Sequence, residues 1–149
     1  MNQKIYGMFK SQEGKVIDNG PSKAANWLGA KLLRVGDSYV TVECVVREDM
    51  TNPVGILHGG IASLMLDEVI GMGNVIMSEE YVMSSVNLNV DFLSSAKVGE
   101  RLIISSKLIR TGANLNHWEA KIEKESGKIV AKASSNMAKT HVKLSDLGL

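Results

Sequence analysis

A chain of 149 residues is long enough to build one domain around a proper hydrophobic core, and its 44% apolar and 22% charged residues are those of an ordinary globular protein. Seventeen Lys and Arg against sixteen Asp and Glu leave a formal charge of +1, and aromatic residues make up only 5%, which argues against a nucleic-acid partner or a membrane surface. The one cysteine, Cys44, cannot form an internal disulfide, and residues 1–15 hold no apolar core of signal-peptide length; a cytoplasmic setting is therefore expected.

Residues 1–20 mix charges, Gly and scattered apolar side chains without periodicity, so they are expected to be loosely held ahead of a single domain over residues 21–149. Pro21 fits a helix start, and Ala24, Ala25, Trp27 and Leu28 predict a short helix ending near Gly29. From Ser38 the pattern has period two, with Val40, Val42, Cys44 and Val46 on one face of a strand. Residues 51–60 (TNPVGILHGG) read as a loop. The following helix, residues 60–77, is apolar on almost every side through Ile61, Leu64, Met65, Leu66, Val69, Ile70, Met72, Val75 and Ile76. Such a helix must be enclosed by protein, and Asp67 and Glu68 in its middle argue against a membrane span.

Four more strand-like runs cover residues 85–92, 101–110, 116–124 and 128–142, the last entered through the turn Glu125-Ser126-Gly127-Lys128. The sum is an α+β fold, one long helix against an antiparallel sheet. A single sheet covers only one side of the helix, which makes a second copy of the chain the candidate cover for the rest. His58, His117 and His141 lie far apart, with no Cys or carboxylate at metal-ligand spacing. Gly71-Met72-Gly73 lacks the third glycine of a dinucleotide fingerprint, because Ile76 stands there. Neither a metal nor a nucleotide cofactor is expected.

Chemistry concentrates in Asn52-Pro53-Val54-Gly55-Ile56-Leu57-His58-Gly59-Gly60, followed by Asp67 nine residues after the histidine. Two glycines at a helix start let a ligand approach backbone N–H groups that lack intrahelical partners and sit at the positive end of the helix dipole. Such a site can hold a carbonyl oxygen that turns negative during acyl transfer; glycines that merely allow close packing are the competing reading. Asp67 on an apolar helix is costly unless paired or functional, whereas Glu68, about 100° further round, is expected to be solvated or salt-bridged. Nine residues of helix amount to roughly 13.5 Å of rise and a turn of about 180°, so Asp67 should face away from His58 and Gly59. Groups placed so far apart would serve one small substrate only if they came from different subunits.

This order and spacing resembles the hotdog-fold acyl-CoA thioesterases, and within them the phenylacetic-acid-degradation (PaaI-like) branch. The likeness runs from about Trp27 to His141 and includes Ser85-Val86-Asn87-Leu88-Asn89-Val90-Asp91-Phe92-Leu93 and the turn Ala96-Lys97-Val98-Gly99-Glu100. It implies a hotdog fold, with a central helix wrapped by five to six antiparallel strands. It also implies hydrolysis of an acyl-CoA thioester to a free acid and CoA, without a cofactor. By position, Asp67 is implied as general base or nucleophile, and Gly59, with Gly60 beside it, as the backbone donor to the carbonyl. Asn52 and His58 are implied as groups that position the thioester or water, and Ser85 as a residue holding that water. The CoA tail is implied to run along a loop with Arg110, Thr111, Gly112 and Lys139 as its contacts. A homodimer sharing its active sites, assembled as a dimer of dimers, completes the implied picture. A non-catalytic acyl-CoA or lipid-binding module on the same fold is the competing reading.

Overall fold

Six strands and one long helix carry the architecture of the computed structural model, which describes residues 1–149. Two short helices, α1 (Gln3–Lys10) and α2 (Lys23–Leu28), precede β1 (Lys31–Val35) and β2 (Tyr39–Val45). The long helix α3 (Gly59–Met77) follows, then β3 (Tyr81–Phe92), β4 (Arg101–Arg110), β5 (Leu115–Lys124) and β6 (Ile129–Lys143). All strand pairs are antiparallel, in the order β1-β2-β4-β5-β6-β3. This is the expected α+β architecture, a helix wrapped by one antiparallel sheet of six strands.

Period-two alternation turns Val40, Val42 and Cys44 of β2, Leu102 and Ile104 of β4, and Trp118, Ala120 and Ile122 of β5 toward the helix, where all are buried. From α3, Ala62, Met65, Leu66, Val69, Ile70 and Ile76 meet them in one continuous core. Gly73 lets the helix and sheet touch: a Cβ there would lie 2.7 Å from the Trp118 ring. The far side of α3 is less well covered. Ile61, Leu64, Met72 and Val75 are only partly buried, in line with the expectation that one sheet leaves part of this helix bare. By length and hydropathy alone α3 could cross a membrane, but its sheet-facing side forms the core and it carries two carboxylates.

Residues 1–20 depart from the expectation of a loosely held segment. Asn2 caps α1 by accepting from Ile5 N–H, Ile5 is 1% exposed, and Asn2 N–H donates to Ile76 at the end of α3. Gly14 and Ile17 then donate to Leu32 and Ala30, which ties the following residues along β1. The strand β1 is itself an addition to the sequence reading. A bulge at Leu33 breaks its alternation, so the buried residues are Leu32 and Val35, three positions apart. The helix predicted from Pro21 begins instead behind Ser22, whose hydroxyl accepts from Ala25 N–H, and it stops at Gly29, where φ is +62°.

Candidate active site

The loop before α3 is built around Asn52. Its Oδ1 accepts from Val54 N–H (3.0 Å) and Ile56 N–H (3.3 Å), while Gly55 turns the chain at φ +77°. Leu57 N–H donates to Ala96 and His58 N–H to Met50, so both sides of the loop are anchored. These contacts use the acceptor of the Asn52 amide and leave its NH₂ group available to a ligand.

His58 is the N-cap of α3. Its Nδ1 accepts from Gly60 N–H (2.9 Å), and its carbonyl accepts from Ile61 and Ala62. An accepting Nδ1 places the proton of the neutral ring on Nε2. The ring can fold back because position 60 is glycine; a Cβ there would stand 3.1 Å from Nδ1. Of the first four helix amides, three are thereby satisfied and Gly59 N–H has no acceptor within the chain. The Gly60 N–H is thus engaged by the cap. Over Gly59 lies the Phe92 ring from the end of β3, 3.3 Å from where a Cβ would be.

Asp67 is partly buried and paired. Ser85 of β3 donates to its Oδ1 at 3.0 Å, and the same hydroxyl lies 3.2 Å from the Met137 sulfur. Glu68 has no ion partner and keeps only part of the solvent exposure expected of it. It is partly buried and accepts from Ser22 Oγ (2.8 Å), beside the apolar side chains of Leu28, Met65, Val69 and Met72. Burial pushes its carboxyl above the ordinary range; the Ser22 hydrogen bond opposes this and the Asp67 charge adds to it.

The β4–β5 loop starts from exposed Arg110 and passes through Thr111 and Gly112 to Asn114, whose carbonyl accepts from Lys139 N–H on β6. Lys139 Nζ sits 4.4 Å over the Tyr81 ring. Thus Arg110, Thr111, Gly112 and Lys139 share one end of the sheet. Inward from them, Asn116 of β5 accepts from Thr111 Oγ1 (2.9 Å) and Gly112 N–H (3.3 Å).

Asp67 and Ser85 are brought together, as are Asn52, His58 and Gly59, but the two groups remain separate. The reason differs from the rotation inferred from the sequence. Strand β3 borders both ends of this stretch of α3, touching Gly59 through Phe92 and Asp67 through Ser85. Their separation is axial, about 12 Å of helix rise over eight residues. Phe92 and Asn116 were missed in the sequence, Phe92 because its contact depends on how β3 lies against α3. Asn116 is bonded to Asn74, an amide on an apolar helix that gives the same kind of signal as Asp67.

The sequence pattern of the thioesterase superfamily matches residues 54–131. Acyl-coenzyme A thioesterase 13 of Mus musculus is 30% identical over 101 residues, covering 67% of this chain and 72% of its own. A phenylacetic acid degradation-related protein from Ralstonia eutropha JMP134 superposes with a TM-score of 0.73 at 30% identity, covering 80% of this chain and 92% of that one. A Streptococcus mutans protein solved bound to acetyl CoA superposes with a TM-score of 0.71 at 21% identity, covering 74% and 88%.

Proposed function

This chain belongs to the thioesterase superfamily, and on that premise we propose that it hydrolyses an acyl-CoA thioester to a free carboxylic acid and CoA. The observation that carries the reading is Asp67, a carboxylate on an otherwise apolar helix, held by the Ser85 hydroxyl. Gly59 N–H receives the thioester carbonyl oxygen at the helix N-terminus, where developing negative charge is stabilised. Asp67 takes a proton from water as that water adds to the carbonyl carbon, or attacks the carbon itself and is later released by water. The carbon–sulfur bond then breaks, and the thiolate of CoA leaves and is protonated. Asn52 Nδ2 and His58 Nε2, the donors their loop contacts leave over, orient the thioester or the water. Arg110, Thr111, Gly112 and Lys139 receive the CoA portion, the two cations meeting its phosphates.

Because about 12 Å of helix rise separates Gly59 from Asp67 in one chain, the working site combines Gly59 of one copy with Asp67 of another. Two features favour a second copy beside β3. This twelve-residue strand ends the sheet with one side unpaired, and the neighbouring face of α3 is incompletely covered. A dimer of dimers and a cytoplasmic location, in keeping with the lone buried thiol of Cys44, belong to the same proposal.

The test is CoA release from a panel of acyl-CoAs by the wild type and Asp67→Asn. The wild type should turn over, and folded Asp67→Asn should lose about 10²–10⁴ in kcat. Full activity in the variant would remove Asp67 from the mechanism, and tight binding without turnover would make the protein a binding module.

A further inference from the structure

We propose that Asn116, anchored by Asn74, is a positioning residue that sets the β4–β5 loop for the CoA portion of the substrate; the inference rests on the acyl-CoA hydrolase reading. Asn74 is 1% exposed and stands seven residues after Asp67, on the same face of α3. Its Oδ1 accepts from Asn116 Nδ2 (3.1 Å) and Trp118 Nε1 (3.3 Å), and its Nδ2 lies 3.4 Å from the Met83 carbonyl on β3. Asn116, 3% exposed, passes the connection outward: its Oδ1 accepts from Thr111 Oγ1 and Gly112 N–H.

Burying two amides beneath a sheet is unfavourable unless their hydrogen bonds are met, and apolar side chains would fill the space without that requirement. What the amides supply is direction, from a rigid helix to two residues of a surface loop. Thr111 and Gly112 are exposed, so their own packing does little to hold them. The loop is nevertheless tightly turned, since a Cβ on Gly112 would stand 3.0 Å from the Leu115 carbonyl. Asn116 thus holds from beneath the segment that follows Arg110, and its hydrogen bonds go to Thr111, Gly112 and Asn74, not to Asp67.

The experiment compares an acyl-CoA with the N-acetylcysteamine thioester of the same acyl group, which keeps the reacting bond but lacks the nucleotide. Asn116→Ala should raise KM for the acyl-CoA about tenfold, while kcat/KM for the short thioester stays within about twofold of the wild type. Amide hydrogen exchange over residues 111–114 should quicken in the same variant. Equal losses on both substrates, or an unchanged KM for the acyl-CoA, would overturn the proposal. Should Asn116→Ala fail to fold, Asn116→Ser keeps a polar side chain beneath the loop but withdraws the acceptor from Thr111 Oγ1 and Gly112 N–H. It should raise KM for the acyl-CoA about threefold, with the short thioester unaffected, and an unchanged KM there is equally fatal. Failure of the hydrolase reading looks different: the wild type itself would turn over neither thioester.

Discussion

Asp67 and Glu68 are adjacent in the chain and meet different surroundings: Asp67 accepts from Ser85 at the edge strand, and Glu68 lies against an apolar wall with only Ser22 as partner. Raised by burial, the folded-state pKa of Glu68 lies above its ordinary value of 4.5. Its contribution to stability is then full below that value and is lost as pH rises through the folded one. Glu68→Gln keeps an acceptor for Ser22 and removes the charge, so at pH 7 its melting temperature should equal or exceed that of the wild type. The difference should close as pH falls toward 4; a lower melting temperature for the variant at pH 7 would contradict the assignment. Ser85→Ala removes the donor to Asp67 and should lower kcat about tenfold with little change in KM, as steady-state kinetics would show. Asp67 was legible because a carboxylate in an apolar helix needs a reason. The opposite fates of the two carboxylates were not, because they depend on which elements, β3 and α2, flank each side of α3.

The first turn of α3 shows what an element's start can do. Gly59 occupies the first helical position, and His58 before it is extended, at φ −65° and ψ 134°. Proline is tolerated at such a position and after such a residue. Gly59→Pro should therefore fold, with the exposed Phe92 ring moving aside, while deleting the one amide of the first turn that lacks an acceptor. Its kcat should fall about 10²–10³, whereas Gly59→Ala, which keeps the N–H, should lose far less. Further along, Gly73→Ala forces a methyl group against Trp118 and should destabilise the protein by about 1–3 kcal/mol in chemical denaturation. The elements legible in the sequence were α2, β2, α3, β4, β5, β6 and β3 from Ser85 onward, where a period or a β-favouring run is sustained. The bulge at Leu33 concealed β1 and irregular pairing near Val82 obscured the start of β3, whereas α1 does carry Ile5, Met8 and Phe9 at helical spacing, in a segment of only eight residues.

At the scale of the whole molecule, the sheet order places β3 at one edge, directly beside the Asp67–Ser85 pair. Fold class and helix position were legible in the sequence because a single buried helix needs a sheet to cover it. The sheet order was not, since β3 follows α3 in sequence yet pairs with the last strand, β6. In the proposed assembly a second copy completes both the covering of α3 and the active site, so each chain supplies Gly59 to one site and Asp67 to the other. Mixing Asp67→Asn subunits with Gly59→Pro subunits tests this directly, because each variant alone should be nearly inactive. With subunit exchange established by native mass spectrometry, the mixture should recover about one quarter of wild-type acyl-CoA hydrolysis per chain, the share expected when half of the dimers are hybrids with one intact site each. Exchange without any recovery would contradict the shared site.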